Sequence, residues 1–373
     1  MNNTRKKTFT GFCFLLSLLF LIGCTNEKAE SSNVIKLGFI GPLTGDGAYW
    51  GIIEKNAIDL AVEEINAQGI NGKKLVVEYE DGKCNGEEAL TAARKLVEID
   101  NVGILLVSCS QEIIPLAPYT EAQHTLILGS YSASSQITNS GDFVFRNAYS
   151  NRDYAEVMVN TIGTNQSVAI MTEVTEFAAD LRDIFKEEFS KRGGQIVAEE
   201  NTPVGDKDAA TYVTKMLAQK PDAVFINPTG PATGIPILKE LRKQGYDGKV
   251  YGNFFGGSKT VQELPEAQGM IFFADPDVVQ TPRKTALFEK YKQIYGEYPD
   301  LEFPAAARYD FIYILAEAIK NSGEDTASIR DYLYEMKNFN GVLGQYHFDQ
   351  NGDVVGIIPS VRVITEGKSA PVE

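Results

Sequence analysis

The feature that most constrains this chain is an alternation of short β-rich runs with amphipathic helical stretches, in a series that is played out twice. Residues 34–40 (VIKLGFI) form an apolar strand closed by Gly41-Pro42. Residues 51–67 then carry Ile52, Ile53, Ile58, Ala61 and Ile65 at helical spacing, with Glu54, Lys55, Asp59 and Glu63 on other faces. Gln68-Gly69 stops that helix. A strand at 75–79, a helix at 87–99, a buried strand at 102–107 and, after another helix, a strand at 126–128 follow. This order predicts a mostly parallel sheet covered on both faces. The series restarts with strands at 167–171, 195–198, 222–226, 250–251 and 270–273, separated by helices at 177–192, 209–219 and 236–244. Two α/β lobes are predicted, near 34–148 and 149–275. No Ser/Gly-rich linker separates them, which points to closely spaced crossovers.

The start of the chain sets the compartment. Arg5, Lys6 and Lys7 precede an apolar run at residues 12–22, too short to span a bilayer and suited to a secretory signal peptide over residues 1–23. The run ends in Leu21-Ile22-Gly23-Cys24, which resembles a bacterial lipobox with Cys24 as the lipidated residue. Residues 24–33 then read as a polar tether. About 350 residues remain, enough for two lobes of ordinary domain size. The 35 Lys and Arg against 50 Asp and Glu give a net charge of −15. That balance argues against nucleic acid, whose phosphates call for a basic stripe. Beyond Cys13 in the leader and Cys24, Cys84 and Cys109 remain in a compartment where a disulfide can form. One disulfide or two buried thiols would satisfy them.

The two histidines, His124 and His347, form no HExxH or clustered ligand pattern, and no GxSxG elbow is present. Residues 252–260 (GNFFGGSKT) lack the Gly-Lys-Ser/Thr order of a phosphate loop. Residues 349–353 (DQNGD) read as a hairpin turn between 346–348 and 354–358, because Asn-Gly suits a tight turn. They also open like a calcium loop, but Val354 stands where that loop requires Gly. The expectation is a binding protein with no cofactor, no metal and no catalysis.

At this point the residues carry a family likeness. The chain resembles the type I periplasmic binding proteins, in particular the leucine/isoleucine/valine-binding group of ABC importers. The likeness rests on Ile40-Gly41-Pro42-Leu43-Thr44-Gly45 with Tyr49-Trp50-Gly51, on residues 61–72 (AVEEINAQGING) and 79–84 (YEDGKC), and on Ser108-Cys109-Ser110. Residues 132–138 (SASSQIT), Phe145-Arg146, Tyr309-Asp310 and 348–353 (FDQNGD) add to it. The resemblance implies an α/β fold of two Rossmann-like lobes with mostly parallel sheets, joined by three crossovers, with the ligand trapped by hinge closure. It implies that lobe I comprises 34–148 and 276–344, and lobe II 149–275 and 345–365, with 366–373 as a tail. It also implies a disulfide between Cys84 and Cys109. The partners it implies are a small-molecule ligand and the permease subunits of an ABC importer, with the membrane reached through the lipid; a monomer is expected. A ligand-sensing module coupled to a signalling partner is the alternative use of such a fold.

In open α/β sheets, ligands sit beyond the carboxyl ends of strands, where helix starts present backbone N–H groups. Ser110 and Ser132 follow two such strand ends and are candidates for holding a ligand carboxylate, or else for capping and turn formation. Trp50, in the first strand-to-helix loop, is a candidate apolar wall. By resemblance, Phe177 stands where amino-acid binders place a second-lobe tyrosine, Ala133 where threonine is common, and Phe254 in a stretch where those binders place an acid for the ligand ammonium. Glu173 and Glu176 could supply the missing charge, although exposure is expected for both.

Overall fold

A computed structural model describes residues 33–45, 47–276, 278 and 280–372. The expected signal peptide, Cys24 and nearly all of the expected tether lie outside the described residues. The first series runs β1 (Val34–Gly41), α1 (Ala48–Gln68), β2 (Lys74–Asp81), α2 (Gly86–Arg94), β3 (Ile104–Val107), α3 (Ser110–Ala122), β4 (Leu126–Gly129) and β5 (Val144–Arg146). Its five described strands form a parallel sheet ordered β2-β1-β3-β4-β5. Alternation along the strands divides the core. Leu37, Phe39, Leu106 and Leu128 pack with Ile53, Ala57 and Ile58 of α1. Ile40, Leu105, Val107 and Ile127 pack with α2 and α3 on the other side. Strands buried on both faces are apolar at consecutive positions, which is how the sequence reads.

The second series runs α4 (Asn151–Ile162), β6 (Ser167–Glu173), α5 (Glu176–Lys191), β7 (Gln195–Thr202), α6 (Ala210–Ala218), β8 (Ala223–Asn227), α7 (Pro231–Lys243), β9 (Lys249–Gly252), α8 (Lys259–Gln262) and β10 (Ile271–Ala274). The chain then returns to the first sheet through α9 (Pro282–Tyr295), α10 (Glu302–Ser322) and α11 (Thr326–Glu335). Hydrogen bonds and ion pairs fasten α9 and α10 to α1. Asn56 donates to the Tyr291 hydroxyl at 3.1 Å, and Tyr313 donates to Glu64 at 2.7 Å. The last strands are β11 (Phe339–Asn340), β12 (Gln345–Phe348), β13 (Val354–Val355), β14 (Ser360–Thr365) and β15 (Lys368–Pro371). The second sheet is ordered β15-β14-β10-β9-β8-β6-β7, with β14 antiparallel to β10 and β15 antiparallel to β14.

Two placements differ from the sequence-based expectation. The hairpin of β12 and β13 was expected in the second lobe, yet it lies on the first. Phe348 packs against Phe145 and stacks on Phe311, with centroids 5.4 and 5.9 Å apart. Asp353 in its turn lies 2.5 Å from Nε of Arg146, whose side chain is fully buried. A buried guanidinium requires such a partner, and that requirement holds the hairpin where it is. Gly352 makes the turn possible, with φ of 75°. The second departure is the end of the chain: residues 368–371, expected as tail, form β15 at the edge of the second sheet.

The chain therefore passes between the sheets three times, after β5, after β10 and after β13. Tyr149 in the first crossover donates to Asp275 in the second at 2.6 Å, and Ser360 beyond the third donates to the Asp275 carbonyl at 3.0 Å. One residue thus ties the three strands of the crossing together.

Candidate functional site

The carboxyl ends of both sheets face one cavity of about 530 Å³. Each wall is built by loops that leave a strand and enter a helix. Beyond β1, Trp50 sits in the first turn of α1. Gly51 is needed beside it, because a Cβ there would collide with the Pro42 carbonyl oxygen. Beyond β3, Cys109 is the N-cap of α3 and Ser110 its first residue. Beyond β4 come Tyr131, Ser132 and Ala133. In the second lobe, Glu173 ends β6 and Phe177 follows it, Thr229 and Thr233 follow β8, and Phe254 follows β9. All of these side chains line the cavity. The structure therefore brings Trp50, Ser110, Ser132, Ala133, Phe177 and Phe254 together around one space.

The first-lobe wall stands on a buried ionic framework. Arg308 of α10 donates to the Leu128 and Val107 carbonyls at 2.8 and 3.0 Å, clamping the ends of β4 and β3. Its Nη2 lies 3.3 Å from Glu54, and Ser108 donates to the same carboxylate. Arg146 donates to the Ser134 carbonyl at 2.6 Å, and the Ser134 N–H donates to the Ser110 hydroxyl at 3.1 Å, so the two anchor loops are linked. Glu112 in the first turn of α3 accepts from the N–H groups of Cys109 and Cys84 at 3.0 and 3.1 Å. Burial pushes its carboxyl up to about 8. Cys84 and Cys109 are joined in a disulfide with Cα atoms 5.4 Å apart. Cys84, Cys109 and Glu112 cluster as metal ligands would, but sulfurs bonded to each other offer no thiolate.

Aromatic rings run from one wall to the other. Centroids of Tyr49 and Trp50 are 5.0 Å apart, Trp50 and Tyr131 6.0 Å, Tyr131 and Phe254 5.3 Å, and Phe254 and Phe177 5.3 Å. Among the first-lobe side chains that line the cavity, four buried polar atoms have no hydrogen-bond partner in the protein: the Tyr49 and Tyr131 hydroxyls, Trp50 Nε1 and the Ser132 hydroxyl. Burial raises the Tyr49 phenol, and the Asp275 and Asp300 carboxylates raise it further. Tyr131 is raised in the same way, by burial and then by Asp275. Both are therefore protonated donors at neutral pH. Tyr49 and Tyr131 were not singled out from the sequence, although each adjoins a residue that was.

On the second-lobe side, the exposure expected for Glu173 is wrong: only 2% of it is accessible. It accepts from Thr229 N at 2.5 Å and Gly205 N at 3.3 Å, and also from the Thr229 and Thr233 hydroxyls. Glu176 is partly buried rather than exposed, and accepts from Ser134 at 2.5 Å and Gln136 at 2.9 Å across the cleft. Two further carboxylates clasp the lobes: Asp180 accepts from Ser135 at 2.6 Å, and Asp300 from Ser258 at 2.8 Å. No described residue at Gly252–Gly256 offers a carboxylate, as the sequence implied.

A family profile described as periplasmic binding protein matches residues 34–367. The chain belongs to that family. Within it, this periplasmic binding protein falls in the type I, leucine/isoleucine/valine-binding group. It is 23% identical over 335 residues to the leucine-, isoleucine-, valine-, threonine- and alanine-binding protein of Pseudomonas aeruginosa, covering 87% of this chain and 88% of that one. Its fold is similar to the leucine-binding protein LivK of Thermotoga maritima, with a TM-score of 0.79 at 23% identity over 91% of this chain and 98% of the other. It is equally similar to an ABC-transporter solute-binding protein of Rhodopseudomonas palustris solved with 3,4-dihydroxybenzoic acid. There the TM-score is 0.78 at 23% identity, covering 91% and 96% of the two chains. The family is one of binding proteins rather than enzymes, and no described helix of this member is long and apolar enough to cross a membrane.

Proposed function

We propose that this protein is an extracytoplasmic solute-binding lipoprotein that captures a small organic ligand by hinge closure and delivers it to the permease of an ABC importer. The ligand class is a carboxylate or amide with an apolar body, amino acids included. The observation that carries this reading is the single cavity between the lobes, with hydroxyls and the start of α3 on one wall and aromatic rings on the other. Ser110 and Ser132 hold the polar end of the ligand; Trp50, Phe177 and Phe254 meet its body, and Ala133 leaves room beside Ser132. The hinge is the triple crossing tied by Asp275, so that residues 34–147, 282–355 and 149–274 with 360–371 move as two bodies. Cys24 carries the lipid that keeps the protein, as a monomer, at the membrane.

Native mass spectrometry of the full protein extracted from membranes tests this reading in one measurement. The expected spectrum is a monomer beginning at Cys24, heavier by its acyl groups, with a small molecule bound one to one. Adding excess of that molecule at about a hundred times its dissociation constant should stabilise the protein by about 2.7 kcal/mol. Steady chemical conversion of the ligand by purified protein would refute the reading.

A further inference from the structure

We propose that the cavity is built for an aromatic monocarboxylate that carries no ammonium group. The proposal rests on the solute-binding reading and narrows it. Its first support is the sign of the unmet hydrogen bonds. Trp50 Nε1 can only donate, and the Tyr49, Tyr131 and Ser132 hydroxyls stand beside it without a partner in the protein. Trp50 is 8% exposed and Ser132 1%, so solvent does not serve them freely. All four belong to the first lobe and line the cavity, next to Ser110 at the start of α3. Helix N–H groups add partial positive charge at that end. Trp50 Nε1 calls for an acceptor, and the three hydroxyls, which can donate or accept, can turn their protons to the same group; a ligand carboxylate completes the set.

The second support is the state of the acids. Among the described lining residues the carboxylates are Glu173 and Asp300. A carboxylate offers about four lone-pair sites. Glu173 accepts from two backbone N–H groups and two threonine hydroxyls. Asp300 accepts from the Ser258 hydroxyl and the Lys259 N–H at 2.8 and 3.0 Å. An ammonium brought to Glu173 would have to displace donors that hold the loops after β7 and β8, whereas Asp300 is exposed, where solvent weakens an ion pair. The Thr229 and Thr233 hydroxyl protons are directed to Glu173, so these residues turn no free acceptor carboxylate to a ligand. An ammonium at the Phe177 and Phe254 end would find aromatic faces but, in the buried part of the cavity, no described carboxylate with free acceptor sites.

The third support is the shape of the apolar part. Tyr49, Trp50, Tyr131, Phe254 and Phe177 succeed one another with interplanar angles between 51° and 87°. A flat ring inserted among them finds both faces and edges to pack on, the arrangements aromatic pairs prefer. Among the described residues, the Phe177 and Phe254 end offers no cation to a carboxylate and includes Glu173, which would repel one, so the ring points toward the second lobe and the carboxylate toward the first.

Matched pairs of ligands separate the two claims. Isothermal titration would compare 3-phenylpropanoate with L-phenylalanine, and 4-methylpentanoate with L-leucine. The expected result is 3-phenylpropanoate at least about tenfold tighter than L-phenylalanine, the effect of one charged-group hydrogen-bonding defect. It should also bind more tightly than 4-methylpentanoate. Tyr131→Phe and Ser132→Ala should each weaken 3-phenylpropanoate about five- to tenfold while leaving the unfolding temperature of the empty protein unchanged. Should either amino acid bind more tightly than its deaminated partner, or 4-methylpentanoate more tightly than 3-phenylpropanoate, this proposal is overturned and the solute-binding reading stands. Failure of all four, with a different solute carried through purification, has the same consequence. Failure of all four with no small molecule ever accompanying the protein overturns both.

Discussion

The two walls of the cleft face the same cavity and are built on opposite principles. The first-lobe wall ends in hydroxyl and indole groups and rests on ion pairs, Arg308 against Glu54 with no exposure of either side chain and Arg146 against Asp353, with the buried carboxyl of Glu112 under the disulfide. The second-lobe wall ends in Phe177 and Phe254 and has no buried ion pair among the described residues; it rests on neutral amides and on Glu173, whose carboxylate is satisfied by backbone N–H groups and hydroxyls instead of a cation. Asn253 donates to Asn227 at 2.8 Å and to the Pro228 carbonyl at 2.6 Å, and Asn227 donates to the Ala178 carbonyl at 2.8 Å. The contrast separates two tasks. A buried ion pair is directional and costly to break, so it fixes where anchor hydroxyls stand. An aromatic surface accepts many shapes with little penalty for small misfits. The first lobe then defines the polar end of a ligand and the second its size and flatness.

The sharpest way to break this comparison is to remove its largest element. Arg308→Met leaves Glu54 buried without its cation and frees the ends of β3 and β4. Urea unfolding should show a loss of about 3–5 kcal/mol. Asn253→Ala, the corresponding change in the second lobe, leaves neutral acceptors unmet and should cost about 1–3 kcal/mol. Equal losses would mean that the walls do not differ in kind.

Binding should divide along the same line. Phe254→Ala removes a ring that touches both Tyr131 and Phe177, and should weaken ligand binding by about 2 kcal/mol or more, roughly thirtyfold or beyond. Ser110→Ala should cost about 1.5 kcal/mol, roughly tenfold, because Ser110 also keeps the Ser134 loop in place. The distinction lies in selectivity, read by titrating a panel of ligands: Phe254→Ala should change which bodies are preferred, whereas Ser110→Ala should weaken all carboxylates alike. A Ser110→Ala variant that merely re-ranks ligands would reverse the assignment of the two walls.

Much of this arrangement was legible because it is local. Apolar periodicity located the strands and helices, the rule that ligands lie beyond strand ends pointed to Ser110 and Ser132 with Trp50 in a neighbouring loop, and the family resemblance added Phe177 and Phe254. What stayed hidden depends on partners far apart in the chain. Arg308 and Glu54 lie 254 residues apart, and nothing near either announces the pairing. Glu173 reads as a surface acid at the end of a strand, and only Thr229 and Thr233, 56 and 60 residues on, make it a buried hub. The hairpin was misplaced for the same reason: its Asp353 meets Arg146 from 207 residues away. Helix α4 and strand β5 were not picked out, since Val144–Arg146 is too short to show an alternation. Tyr49 and Tyr131 were within reach, because each shares a strand-end loop with a residue already chosen.

The smallest expected effect is on pH dependence, and it too distinguishes the walls. Burial raises the Glu112 carboxyl from its ordinary 4.5 to about 8, so the folded protein holds a proton there at neutral pH that the unfolded chain has released. Between about pH 4.5 and 8 the folded state therefore binds more protons than the unfolded state, and the stability from this group falls as pH rises. Its contribution is complete below 4.5 and gone above 8. Glu54 is raised by burial as well and acts in the same direction, whereas Arg308 opposes both by its charge. Glu112→Gln keeps a neutral group at the same place and removes the proton. Between pH 6 and 8.5 the unfolding temperature of the natural protein should fall by about 2 °C more than that of Glu112→Gln, a difference on the order of 1 kcal/mol. Hydrogen exchange should place that extra slope at α3 and the Cys84 loop rather than at β8 or β9. If the slope is the same in both proteins, or sits in the second lobe, the titrating group of the first-lobe wall is not Glu112, and the ionic framework beneath the anchor hydroxyls must be carried by Glu54 and Arg308 alone.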